Sequence, residues 1–173
     1  MIRRWIVPIL IALAIGALAF QVTLMATPGT LMALAMNRLT TLGPLNHFAH
    51  TATPTPADRE IVRTSPDLAY SPCPFDLSGG PLLINAVPVA APYWALSIFD
   101  AQTNAVFVRN RFEARDRPFR VAVIHGGQVA PAGYEPVRVD GARGIAVIRI
   151  LVADPASFPA IDAARRASTC RIG

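Results

Sequence analysis

Lysine is absent: all sixteen basic residues of this 173-residue chain are arginine. Without a lysine, the Gly79-Gly80 pair has no partner for a phosphate loop, which needs a following helix that carries Lys and Ser or Thr. Asp76-Leu77-Ser78-Gly79-Gly80 is therefore expected to be a tight turn. Neither Ser71 nor Ser78 sits in the G-x-S-x-G elbow of a nucleophilic serine. Cysteine is nearly absent, and the two present, Cys73 and Cys170, form no C-x-x-C pattern and adjoin no histidine. His47 and His50 are three apart and could share a helical face toward a metal, but no carboxylate or cysteine ligand joins them. They stand among prolines and are expected to be solvated or membrane-proximal. His125, ahead of Gly126 and Gly127, is expected to be a hydrogen-bonded turn residue. The chain also lacks internal repeats and low-complexity tracts. No catalytic residue, metal or cofactor is expected.

The longest stretch without charge lies near the start. Trp5 to Phe20 holds no charged side chain, and the apolar run continues to Ala26. At 1.5 Å per residue these 22 positions span about 33 Å, against a bilayer core of about 30 Å. A transmembrane helix follows, with Pro8 tolerated in its first turn. Arg3 and Arg4 precede the run and only Arg38 follows closely, so the positive-inside rule keeps the N-terminus in the cytoplasm. The expectation is a single-pass inner-membrane protein with a periplasmic C-terminal domain. The rival reading is a cleaved signal peptide, with Ala17 and Ala19 before Phe20 as the processing site. Both readings export the domain. The net charge of +5 then points to no nucleic acid, and an Arg-only, Ala-rich composition is what a GC-rich genome produces.

Three parts are expected: residues 1–26 as tip and membrane helix, 27–54 as amphipathic helix and stalk, and 55–173 as the exported domain. Thr27, Pro28 and Gly29 are expected to break the first helix. Leu31, Met32, Leu34, Ala35, Met36 and Leu39 then form one apolar helical face, whose methionines suit packing rather than metal relay. A short helix is expected over 56–63, behind Thr55 as N-cap. Pro72 and Pro74 bar residues 68–75 from the centre of a sheet, which leaves an edge strand or an extended arm. Runs at 82–89, 93–99, 105–109, 119–124, 135–139 and 144–152, separated by Gly and Pro, predict a mainly β domain, an antiparallel sheet or sandwich with short flanking helices. Alternation puts Val106 and Val108 opposite Phe107 and Arg109, and Val137 and Val139 opposite Arg138 and Asp140. A helix over about 158–168 is expected to cover the sheet.

Outside the cytoplasm a lone cysteine pair is normally oxidised, so Cys73 is expected to bond Cys170, a single reactive thiol being the rival. Arg109, Arg111, Arg115, Arg117 and Arg120 fall within twelve residues and could grip phosphate or carboxylate groups. Glu113, Asp116 and Pro118 lie among them, which equally describes a self-neutralised solvated loop.

Several motifs then fall in an order that carries a likeness: Ser65-Pro-Asp-Leu-Ala-Tyr-Ser71, Phe75-Asp-Leu-Ser-Gly-Gly-Pro81, Tyr93-Trp-Ala-Leu-Ser-Ile-Phe-Asp100 with Gln102-Thr-Asn104, and Ile148-Arg-Ile-Leu-Val-Ala-Asp-Pro155 with Pro159-Ala-Ile161. Together they resemble the bacterial family of domain of unknown function 1254, in its short membrane-anchored form, over about residues 58–168. The resemblance implies a β-sandwich and a companion protein of the 1214 type as partner. It marks Tyr70, Tyr93, Asp100, Asn104 and Arg149 as recurrent positions, which join Arg109 and Arg111 as binding candidates. The chain departs from the family at Ser65-Pro66-Asp67-Leu68, where members usually show an Asn-Arg-Asp-Thr-like start. Two functions follow as expectations: a non-catalytic envelope module that assembles with a partner, or a protein that binds or processes an anionic lipid or carbohydrate.

Overall fold

The computed structural model describes residues 3–52, 65–115 and 117–173. The helix expected over 56–63 lies outside them. The chain opens with α1 (Arg3–Leu39), continuous through Pro28. From Arg4 to Ala26 every side chain is exposed and nearly all are apolar, a surface that lipid, and not water, solvates. By length and composition α1 can cross a membrane.

The expected break at Thr27-Pro28-Gly29 does not occur. Proline in a helix removes one backbone donor, and three threonine hydroxyls add bonds to carbonyls around that site: Thr23 to Ala19, Thr27 to Thr23 and Thr30 to Ala26 and Thr27. Beyond it, Met32, Met36 and Leu39 recur at helical spacing and are buried against the domain. The amphipathic segment is thus the last turns of the membrane helix, and its methionine stripe is packing.

The domain is a sandwich. Among the described residues eight strands form two four-stranded sheets. The first contains β1 (Leu68–Asp76), β3 (Trp94–Phe99), β4 (Ala105–Asn110) and β7 (Arg143–Leu151), in the order β1-β7-β3-β4 and antiparallel throughout. The second contains β2 (Leu82–Ala86), β5 (Phe119–Ile124), β6 (Glu135–Arg138) and β8 (Thr169–Ile172), in the order β6-β5-β2-β8. Here β6 runs parallel to β5, because the loop after Ile124 carries the chain back before β6 begins. Two short helices complete the domain: α2 (Arg111–Ala114) joins β4 to β5, and α3 (Phe158–Arg165) follows β7.

The core fills from both inner faces. Phe75, Trp94, Leu96, Ile98, Ile148 and Ile150 from the first sheet meet Leu82, Ile84, Val121 and Val123 from the second. Alternation along β4 buries Phe107 and turns Val106 and Val108 outward; along β6 and just beyond it, Val137 and Val139 are buried while Arg138 and Asp140 are exposed. Gly144 lies opposite Phe75, and any Cβ there would fall 2.5 Å from the Phe75 ring and 2.2 Å from the Phe99 carbonyl oxygen, so only glycine fits.

β1 is an edge strand, as its prolines require. The carbonyls of Tyr70, Pro72 and Pro74 point away from β7, the same side on which Pro72 and Pro74 lack an N–H. A strap over residues 43–52 runs along that edge and donates into it: Asn46 N to Pro74 O, Ala49 N to Pro72 O (both 2.8 Å) and Thr51 N to Tyr70 O (3.3 Å). Across Pro72 and Pro74 the edge offers acceptors alone and the strap supplies the donors, while at Asp76 the strand N–H donates to the strap's Asn46 Oδ1 (2.9 Å).

Candidate functional site

The two open sides of the sandwich are closed by different chemistry. On one side Cys73 of β1 and Cys170 of β8 are bonded, at 2.05 Å and 97 residues apart. On the other, the Arg109 guanidinium of β4 makes a two-pronged pair with Glu135 of β6 and lies 4.9 Å from the Phe107 ring centre. The disulfide side carries in addition a buried polar cluster built by three elements. Arg165, the last residue of α3, is fully buried and donates to the carbonyls of Tyr70 (2.8 Å) and Thr51, to the Ser71 hydroxyl (3.4 Å) and to the Asp162 carboxylate. Ser71 is also fully buried and bonds the His50 ring, Nδ1 to Oγ 2.9 Å.

Position explains the charges. Burial, then the nearby guanidinium groups of Arg165 and Arg166, hold the His50 imidazole below its ordinary value, with Asp162 opposing weakly. Burial works to raise the Asp162 carboxyl, but the hydrogen bonds of Arg166 and Arg165 outweigh it and leave the group more acidic than usual. The cluster therefore holds a neutral histidine beside a fixed cation. Although it pairs a serine with a histidine, Ser71 is sealed in the core, and its partners tie strap, β1 and α3 together. His50 is thus half-buried in a structural contact; the solvated role expected for the two histidines holds for exposed His47 alone.

The binding candidates separate into two kinds. Asp100 is buried and uses its carboxylate to shape the β3–β4 turn: Oδ1 accepts from the backbone N–H of Gln102 (2.8 Å) and Asn104 (2.9 Å), and Oδ2 from the Asn104 amide (2.8 Å). Asp100 and Asn104 hold one another. Arg111 donates to the carbonyls of Ala91 (2.6 Å) and Pro92 (3.4 Å), and Arg109 is engaged with Glu135. A capping box of Asn110 and Glu113 rigidifies α2 between them.

Tyr70, Tyr93 and Arg149, by contrast, share a surface. Tyr70 of β1 and Ala95 of β3 flank Arg149 of β7, and Tyr93 bonds Leu151 through its backbone carbonyl. By alternation all three side chains project from the outer face of the first sheet, at the end away from α1. There the Arg149 Nη2 donates to Ser97 (3.0 Å), while its buried Nε finds no partner among the described residues. The Tyr70 hydroxyl accepts from Ser65 N (3.1 Å). The sequence offers no spacing that foretells this group, because its members come from β1, β7 and the residue just ahead of β3. Among the described residues no cluster of three or more His, Cys, Asp or Glu stands where it could hold a metal.

The family described as "Protein of unknown function (DUF1254)" matches residues 45–171, from the strap to the last strand. The chain belongs to the DUF1254 family. This DUF1254 domain also resembles the crystal structure of the VPA0106 protein from Vibrio parahaemolyticus, with a TM-score of 0.60 and 13% identity, over 84% of this chain and 37% of that one. A putative uncharacterized protein from Burkholderia cenocepacia matches less closely, with a TM-score of 0.47 and 16% identity, over 73% of this chain and 34% of that one. The chain thus spans little more than a third of either structure's length. No curated protein matches it. At such identities the likeness concerns the fold. The apolar helix and the disulfide mark this DUF1254 protein as a membrane-anchored domain of an oxidising compartment.

Proposed function

We propose that this DUF1254 protein is a non-catalytic envelope module, anchored in the inner membrane with its N-terminus cytoplasmic and its sandwich periplasmic, that assembles with a partner protein of the 1214 type. Arg3 and Arg4 ahead of the span favour that orientation, and the disulfide favours an oxidising side for the sandwich. The observation that carries the reading is how the polar groups are used. Ser71, His50, Asp162 and Arg165 hold the strap, Asp100 and Asn104 hold a turn, and Arg109 closes a side. What stands out of this framework is a surface, the Tyr70–Arg149–Tyr93 face, and not a reacting group. Crosslinking of the anchored protein in native membranes, followed by purification, is expected to recover a stable partner whose yield falls with Arg149→Ala or Tyr93→Ala. Recovery of the module alone would refute assembly.

A second reading places an anionic glycan or lipid headgroup on the same face. It is favoured by the half-buried Arg149 guanidinium and by the two tyrosines on the same outer face, which suit a carboxylate or phosphate joined to a sugar. The arginine-rich segment over 109–120 fits this less well, because Arg109 and Arg111 are already bonded within the protein. Binding to lipid or glycan arrays that persists unchanged in Arg149→Gln would remove this reading.

A further inference from the structure

The span and the domain are one continuous rod and its mount, and that fixes where the domain stands. The 22 positions from Trp5 to Ala26 already cover about 33 Å, the whole hydrocarbon core. Gly29 comes three residues later, about 5 Å beyond, and a Cβ there would lie 3.5 Å from the Gln102 amide. Each headgroup layer is itself roughly 5 to 8 Å deep. The β3–β4 turn cannot then stand clear of the lipid surface. The β6–β7 turn is held beside it through the Ala101 N to Asp140 O bond, and the Leu77 turn is held in place by Leu77 N to Ala142 O. Gln128 reaches the Leu77 carbonyl from the β5–β6 loop, which places that loop, with Val129 80% exposed, at the same end. Arg138 and Arg143 add exposed guanidinium groups there.

We infer that this end of the sandwich, the Gln102 turn with the Val129 loop, Arg138 and Arg143, rests in the phospholipid headgroup layer and is held there by the docking of Met32, Met36 and Leu39 on the first sheet. The inference rests on the transmembrane placement of α1 proposed above. Its occupant is lipid, because among the described residues the apolar surface continuous with this end is the exposed span itself. The opposite end, with α2 and its exposed Phe112, lies about 20 Å away along β4.

The full chain is reconstituted in nanodiscs of phosphatidylethanolamine and phosphatidylglycerol, with a fluorophore on one added cysteine; the native pair is bonded and stays unlabelled. Probes at Gln102→Cys and Val129→Cys report one end, and Phe112→Cys and Ala156→Cys the other. A headgroup-attached spin label in the lipid is expected to quench the first two at least about three-fold more than the last two. Equal quenching at both ends in protein that resists alkaline extraction would overturn the inference while leaving the anchor intact. Release by alkaline extraction would overturn both.

Discussion

The two open sides of the sandwich face the same task, keeping two sheets together, and solve it with opposite chemistry. The β1/β8 side is sealed by a covalent bond, a buried arginine and a strap that feeds donors to a proline edge. Among the described residues, the β4/β6 side is closed by one half-exposed ion pair. A covalent bond limits the unfolded chain whatever the solvent; an exposed pair in water adds little to stability. The difference says where the fold is fixed and where it is free to adapt. The fixed side is the one to which the membrane helix delivers the chain, since α1 ends against β1 and β7 and the strap begins there.

The comparison is broken most severely at the disulfide. Replacing Cys73 and Cys170 together by alanine is expected to cost up to about 4–5 kcal/mol, since the bond closes a loop of 97 residues in the unfolded chain. The urea midpoint under oxidising conditions, compared with that of the native protein, measures it. A midpoint unchanged by the double substitution would mean that strap and core alone hold this side.

Next comes Arg165→Met. It keeps the apolar volume of the side chain but removes the donors that serve the Thr51 and Tyr70 carbonyls and half of the Asp162 pairing, at an expected cost of about 3 kcal/mol. Arg165→Lys is not expected to rescue it, because one ammonium cannot span carbonyls on two segments as the planar fork does. Amide exchange should then rise first at Ala49 and Thr51, whose N–H groups are paired to β1.

Acid offers a gentler way to loosen the same side. The His50 ring is held below its ordinary 6.5, so it is neutral when folded, while the unfolded chain takes up a proton as pH falls through 6.5. Its stabilising contribution is whole above 6.5 and is lost progressively between 6.5 and the lower folded value. A second window lies further down. Asp76, whose carboxylate accepts the hydroxyl and then the backbone N–H of Ser78 and is paired to Arg143, is held at about 2 against an ordinary 3.8. Its contribution persists above 3.8 and disappears as pH falls from there to about 2. His50→Gln should abolish the upper window and leave the lower one, as read from unfolding midpoints against pH.

What the sequence reveals of this frame follows from the range of each cue. Pro72 and Pro74 place β1 at an edge because a missing N–H is a local fact, and alternation orients Val137, Val139 and Phe107 for the same reason. Local cues fail where tertiary contact decides. Thr27-Pro28-Gly29 reads as a break, yet packing of Met32, Met36 and Leu39 and three threonine hydroxyls carry the helix through it. β8 carries no cue beyond the end of the helix expected over 158–168, since four residues have no period of their own, and its pairing with β2 makes it a strand. The Tyr70–Arg149–Tyr93 face needs the β1-β7-β3 order, which nothing in the sequence of strands announces.

The smallest effect is expected on the other side. Arg109→Ala removes a pair whose side chains are 38% and 41% exposed, and the loss should be no more than about 1 kcal/mol and smaller still at high salt. The Arg109 guanidinium lies 4.9 Å from the Phe107 ring centre, so part of even that loss is a cation–π contact that Arg109→Met is not expected to restore. A loss comparable to that of Arg165→Met would contradict the asymmetry, for it would mean that the β4/β6 side bears as much of the fold as its covalent counterpart.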